Sequence, residues 1–154
     1  HSFLDVNDYH RYHFPLSGVI KEVRVIPGQN ASGCLITWDS VNNRYIFDAS
    51  IPGWQSVEVR GCVILETEEF GVVALLPIGM SQVCSVNFED NIKVGAQVTK
   101  GDMLGCFYFG GSDYMMIFQK KAGFILDATK ENGKSQSYKH LLLGEQIGHL
   151  TGNK

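Results

Sequence analysis

Val94-Gly95-Ala-Gln-Val98-Thr-Lys-Gly101-Asp-Met-Leu104-Gly105 sets Gly, Val, Gly and Leu at steps of three. Glycines at that spacing let successive tight turns stack closely. Comparable pieces stand at Val25-Ile-Pro-Gly28 and at Leu143-Gly144-Glu-Gln-Ile147-Gly148. Outward from these turns the pattern is that of strands. Gly18-Val-Ile-Lys-Glu-Val-Arg-Val-Ile26 is rich in β-branched residues and stops at Pro27-Gly28. Similar stretches are expected at Cys34–Trp38, Tyr45–Phe47, Val57–Thr67, Gly71–Leu76, Gln82–Phe88, Met103–Phe109 and Tyr114–Gln119. The tail repeats the theme from His140 to Gly148.

No long amphipathic stretch of helical period interrupts this series, and 17 glycines suit many turns. The expected fold is mainly β, a folded-over sandwich or barrel rather than a parallel α/β sheet. The stepped glycines resemble the hammerhead turns of biotinyl- and lipoyl-carrier domains. A carrier needs an acceptor lysine on a hairpin tip, typically between two methionines, and Met-Lys-Met does not occur. The likeness is one of architecture.

At 154 residues the chain fits a single domain, 1–154, long enough to bury a core. Apolar residues make up 44% and charged residues 19%, a globular balance. A formal net charge of −3 argues against a nucleic-acid partner, which needs clustered Lys and Arg. The short pair Lys120-Lys121 reads as a solvated strand end. No apolar run approaches the ~20 residues that span a bilayer, and Val72–Leu76 is interrupted by Pro77 and Gly79. No signal peptide opens the sequence, which points to a cytoplasmic protein. A start at His1-Ser2-Phe3-Leu4 without Met looks like a fragment, so an upstream anchor stays open. Cys34, Cys62, Cys84 and Cys106 lie far apart with no histidine at ligand spacing, as reduced, partly buried thiols would.

Two segments could carry chemistry. In Asp8-Tyr9-His10-Arg11-Tyr12-His13-Phe14-Pro15, two histidines three apart sit among aromatics. They could be a capped turn with half-buried rings, a metal site short of a third ligand, or an acid–base pair. In Phe109-Gly110-Gly111-Ser112-Asp113-Tyr114, Gly-Gly-Ser-Asp is by itself an ordinary hairpin turn. It is also what self-cleavage needs, since a glycine before a serine leaves its carbonyl open to attack.

Together with Val73-Ala-Leu-Leu-Pro-Ile-Gly79-Met80 and Lys100-Gly101-Asp-Met-Leu-Gly105-Cys-Phe107-Tyr-Phe109-Gly-Gly-Ser112, these segments resemble the phosphatidylserine decarboxylase family. Order and spacing match from about Phe3 to Gly148. The resemblance implies an enzyme that cleaves itself between Gly111 and Ser112, Ser112 becoming a pyruvoyl cofactor. His13 would be the base for that cleavage, oriented by an aspartate well upstream; neither Asp5 nor Asp8 inherits that role. His10 would be the general acid that protonates the substrate carbon after CO2 is lost through a Schiff base. The substrate-binding residues are unassigned, and no metal is implied.

The resemblance leaves the substrate between two branches. Gly110-Gly111-Ser112 occurs in some phospholipid-acting members and in a soluble branch acting on free aromatic amino acids. Pro77-Ile-Gly-Met-Ser81-Gln-Val-Cys-Ser85 looks more like the second, similar to fungal-type tryptophan decarboxylases. The family's usual Asn-x-Arg strand is altered to Glu58-Val59-Arg60. A phospholipid substrate would make the protein peripheral to a membrane. Asp113 departs from the usual Ser or Thr and either tunes cleavage or caps the turn. The implied partners are the substrate and the protein's own upstream and downstream chains, with a homodimer left open. From another class, a non-catalytic carrier-like β module is the competing reading.

Overall fold

Strands begin where β-branched residues run and end where Gly, Pro or Asn-rich turns break them. The computed structural model describes residues 1–4, 8–28, 35–48, 53–80, 83–108, 112–127 and 139–152. Thirteen strands are found among them: β1 Ser2–Leu4, β2 Arg11–His13, β3 Gly18–Ile26, β4 Leu35–Asp39, β5 Arg44–Asp48, β6 Val59–Thr67, β7 Gly71–Gly79, β8 Asn87–Phe88, β9 Gln97–Val98, β10 Met103–Cys106, β11 Ser112–Phe118, β12 Phe124–Leu126 and β13 Gly148–Leu150. The fold is mainly β, as expected.

Six strands form one antiparallel sheet in the order β1-β11-β7-β6-β3-β9, and β2-β10-β8 form a second. Between them lies the core, with Tyr12, Phe14, Ile20, Val63, Leu65, Leu75, Leu104, Phe107 and Tyr114 all buried. Each fully buried aliphatic side chain contributes about 1.5–3 kcal/mol of transfer free energy. β4–β5 and β12–β13 are separate two-stranded antiparallel pairs.

The stepped glycines fold the second sheet over the first. Gly95 N–H donates to the Ile20 carbonyl at 2.8 Å, and Ile20 N–H returns a bond to the Ala96 carbonyl at 2.9 Å. Six residues on, the motif repeats: Gly101 N–H donates to Phe14 O and Phe14 N–H to Asp102 O, both at 2.9 Å. Gly95 and Gly101 have φ of 87° and 93°, a left-handed backbone that a Cβ would strain. The other two steps, Val98 and Leu104, point into the core at 5% and 0% exposure. The three-residue period thus alternates a turn with a core anchor.

Four expectations need correction. β7 runs through Pro77 to Gly79 instead of stopping at Leu76. Pairing with β6 passes from Arg60↔Ile78 to Val63↔Leu75, leaving the ladder open opposite Pro77, where no N–H is available. The tail is not a strand over 140–148: only Gly148–Leu150 pairs, with Phe124–Leu126. Leu142 and Leu143 are solvent-facing because Gly144 has φ of 91° and Glu145 accepts from the Leu142 N–H, closing a turn. Ser112 and Asp113 are not turn residues; they open β11 and are buried. Cys84 is exposed rather than half-buried, on a backbone with φ of 38°. The strands expected at Cys34 and at Gln82 begin outside the described residues, and Asn87–Phe88 is the part seen of the latter. Among the described residues no helix is long and apolar enough to cross a membrane.

Candidate active site

β11 lies between β1 and β7, with Ser112 paired to Leu4 on one side and Gly79 on the other. Sealed between two strands, the Ser112 side chain is 0% exposed, and its Oγ has no hydrogen-bond partner among the described residues. A buried hydroxyl usually finds a partner, so an orphaned one needs an explanation. Phe109, Gly110 and Gly111, expected to form the cleavage turn with Ser112, lie outside the described residues.

Residues two apart on a strand share a face, so Tyr114 stands on the same side as Ser112. The Tyr114 ring packs 5.7 Å from that of Tyr12, and Tyr12 packs 4.8 Å from Phe107. Phe107 in turn meets His10 edge-on at 6.5 Å. His10, Tyr12 and Phe14 therefore face inward with Ser112. Tyr9, Arg11 and His13 take the outer side: Tyr9 and His13 stack at 5.8 Å, and Arg11 reaches Met103. The spacing of three that pairs the histidines in sequence separates them across the strand. His13 is tied to the interior through its backbone, whose carbonyl accepts from Tyr114 Oη at 3.0 Å.

The hydrogen bonds fix which ring nitrogen is basic. His13 Nδ1 is 2.9 Å from the Gly101 carbonyl, which can only accept, so Nδ1 carries the proton. Nε2 is then the lone-pair atom of the neutral ring, and the Tyr9 hydroxyl donates to it at 3.0 Å. The turn at Gly101 thus sets the tautomer of His13. His10 Nδ1 donates to the Asp8 carbonyl at 2.6 Å, leaving Nε2 as its basic atom. Asp5 lies outside the described residues.

Burial pushes the hydroxyls of both Tyr12 and Tyr114 well up, so both are neutral donors at ordinary pH. Tyr12 Oη donates to Asn87 O at 2.6 Å, bracing β2 against β8. Asp113, on the opposite face from Ser112, is also 0% exposed; its Oδ2 accepts from His1 Nδ1 at 2.9 Å, and its Oδ1 has no partner. Sequence reasoning singled out neither Tyr114 nor His1. Tyr114 could have been found from its place two residues beyond Ser112. Nothing local marks His1.

A model of the phosphatidylserine decarboxylase family matches residues 1–149. A phosphatidylserine decarboxylase proenzyme of Fusobacterium nucleatum subsp. nucleatum is 32% identical over 92% of this chain and 43% of its own length. Proenzyme 2 of Oryza sativa subsp. japonica is 35% identical over 96% of this chain and 22% of its own. The L-tryptophan decarboxylase of Psilocybe cubensis is 30% identical over 77% of this chain and 28% of its own. The chain thus spans less than half the length of these relatives. No solved structure matches it. A glycine-stepped β fold, two histidines at and just ahead of a short braced strand and an orphaned serine at the head of a buried strand accompany this match over nearly the whole chain, which belongs to the phosphatidylserine decarboxylase family.

Proposed function

We propose that the chain is the catalytic part of a self-cleaving, pyruvoyl-dependent decarboxylase, with Ser112 as the precursor of the pyruvoyl group. The observation that carries this reading is the buried Ser112 Oγ with no partner. A structural serine in that position would be satisfied; a nucleophile kept for the carbonyl of Gly111 would not.

In the cleavage step His13, whose ring must first turn away from Tyr9 on the outer side and toward Ser112, accepts the Ser112 hydroxyl proton, and Oγ attacks the Gly111 carbonyl, so that an ester replaces the peptide bond. Loss of the Ser112 α-proton then expels the Gly111 carboxylate and leaves a dehydroalanine. Its enamine takes up water and releases ammonia, ending as a ketone. His13 Nε2 is the accepting atom, since Nδ1 is committed to Gly101. Tyr9 must release that atom first. The ketone at residue 112 supplies an electron sink for the departing carboxyl group of an α-amino acid. His10, on the Ser112 side of the strand, delivers the proton to the substrate carbon. Phe107, Tyr12 and Tyr114 keep water from that side.

The substrate is a free aromatic L-amino acid, a reading supported by the Pro77–Ser85 likeness and by the tryptophan decarboxylase relative. Phosphatidylserine is the second reading, favoured by the longer coverage of the lipid-enzyme relatives, 92% and 96% of the chain. Intact mass tests maturation: two chains are expected, the downstream one starting at residue 112 with a blocked end. Carbon dioxide release from tryptophan and from phosphatidylserine by the full-length protein separates the substrates. A protein that stays whole and releases no carbon dioxide overturns the proposal and leaves the carrier-like module standing, whereas one that needs pyridoxal phosphate overturns the pyruvoyl chemistry.

A further inference from the structure

The residue after Ser112 holds a group that the cleavage chemistry does not use. Asp113 is fully buried, its Oδ2 takes the 2.9 Å bond from His1, and its Oδ1 is bare. A carboxylate removed from water with half its acceptors unfilled is costly, and the bond to His1 offsets part of that cost. His1 reaches it from one residue ahead of β1, on the face shared by Phe3, which is directly opposite Asp113.

This contact acquires a task if the chain is cut ahead of Ser112. Before the cut, β11 is tethered at both ends. Afterwards residue 112 is a chain terminus, and termini fray unless something ties them down. What holds the first two residues is the ladder to β1 and β7 and the Asp113 side-chain bond, with the Tyr114 hydroxyl bonded to the His13 carbonyl one residue further on. We propose that the His1–Asp113 pair is a clamp that holds the newly cut end of β11 between β1 and β7, keeping residue 112 at the site. His1 is then a positioning residue acting through β11. The inference rests on the cleavage reading above.

The clamp has a pH dependence of definite sign. On Asp113's face the register neighbours are Phe3 and Ile78, both uncharged. One strand further, Arg60 gives its guanidinium to the carbonyls of Gln55 and Glu58. Lys120 lines a groove along β11 together with His1. The hydrogen bond to Asp113 raises His1 above its ordinary value, burial works against it, and the charge of Asp113 adds to the rise. A raised histidine contributes fully below its ordinary range, and that contribution is lost as pH rises through the raised value.

Hydrogen exchange of the amides at the head of β11 tests this in the full-length protein, compared at about pH 5.5 and about pH 9. In the cleaved wild type these amides should lose protection at the higher pH, beyond the intrinsic change in exchange rate. Half-exposed His1 can be replaced without disturbing the core. His1→Gln should lower protection about tenfold at the lower pH, while His1→Lys, charged at both, should keep it at both. Combined with Ser112→Ala, which leaves the tether intact, His1→Gln should change little. A cleaved protein whose β11 protection ignores His1→Gln overturns the clamp alone. A wild-type chain that mass shows to be whole overturns the clamp together with the cleavage reading.

Discussion

Residues 9–13 and residues 112–114 are the two halves of the proposed site, and they are built in opposite ways. In the histidine half the functional groups are partly solvated and their polar atoms engaged, by Tyr9, Gly101 and Asp8. In the serine half both polar side chains are out of water, and Ser112 Oγ and Asp113 Oδ1 stay unmatched. A proton carrier needs access to solvent and a fixed tautomer, which engaged, half-exposed imidazoles have. A nucleophile meant for a backbone carbonyl needs the reverse: no water to hydrate it and no partner to hold it back. On the proposed reading, the acid–base function belongs to the first half and the bond-breaking function to the second.

The largest effect should come from the serine. Ser112→Ala removes the only atom that the proposal makes a nucleophile, so the chain should remain whole by intact mass and release no carbon dioxide. A variant that still split at this bond would move the reactive half elsewhere. Next come the histidines, where loss of a positioned acid or base costs about 10²–10⁴-fold. His13→Ala should block cleavage, whereas His10→Ala should cleave and then turn over slowly. His10 shares the inner face with Ser112 and His13 does not, so the pair tests geometry as well. If His10→Ala is the variant that stays whole, the two roles exchange.

Smaller changes probe the contact between the halves. Tyr114→Phe deletes the bond from the serine strand to the His13 carbonyl and should cost about 1–2 kcal/mol, read as a lower denaturant midpoint at unchanged slope. A variant as stable as the wild type would show that the halves are held together by ring packing alone. Tyr9→Phe should be the mildest. It frees His13 Nε2 at an exposed position and should speed cleavage about two- to fivefold, the size of one modest hydrogen bond. Slower cleavage would make Tyr9 a proton relay rather than a restraint.

Much of this molecule was legible in its residues. The β-branched run of Gly18–Ile26 became β3 with the expected bounds, because one face and one set of turn signals sufficed. Gly95 and Gly101 took the left-handed backbone that only glycine adopts cheaply, so their spacing announced the turns. The order of the histidine segment and the serine turn pointed to the family. Each of these is a local property, written within a dozen residues.

Tertiary structure decided the rest, for a common reason: antiparallel pairing joins residues far apart, and register has no local signature. Pro77 could stay inside β7 because the ladder to β6 opens beside it. Asp113 ceased to be a turn residue once β1 and β7 closed over it, and its partner came from 112 positions away. The two histidines of one motif stand on opposite sides because the chain runs extended into β2, which their spacing of three could not show without knowing that the segment is a strand. The residues pointed to the family and the proposed chemistry, while burial and register decided which polar atoms stand without partners among the described residues.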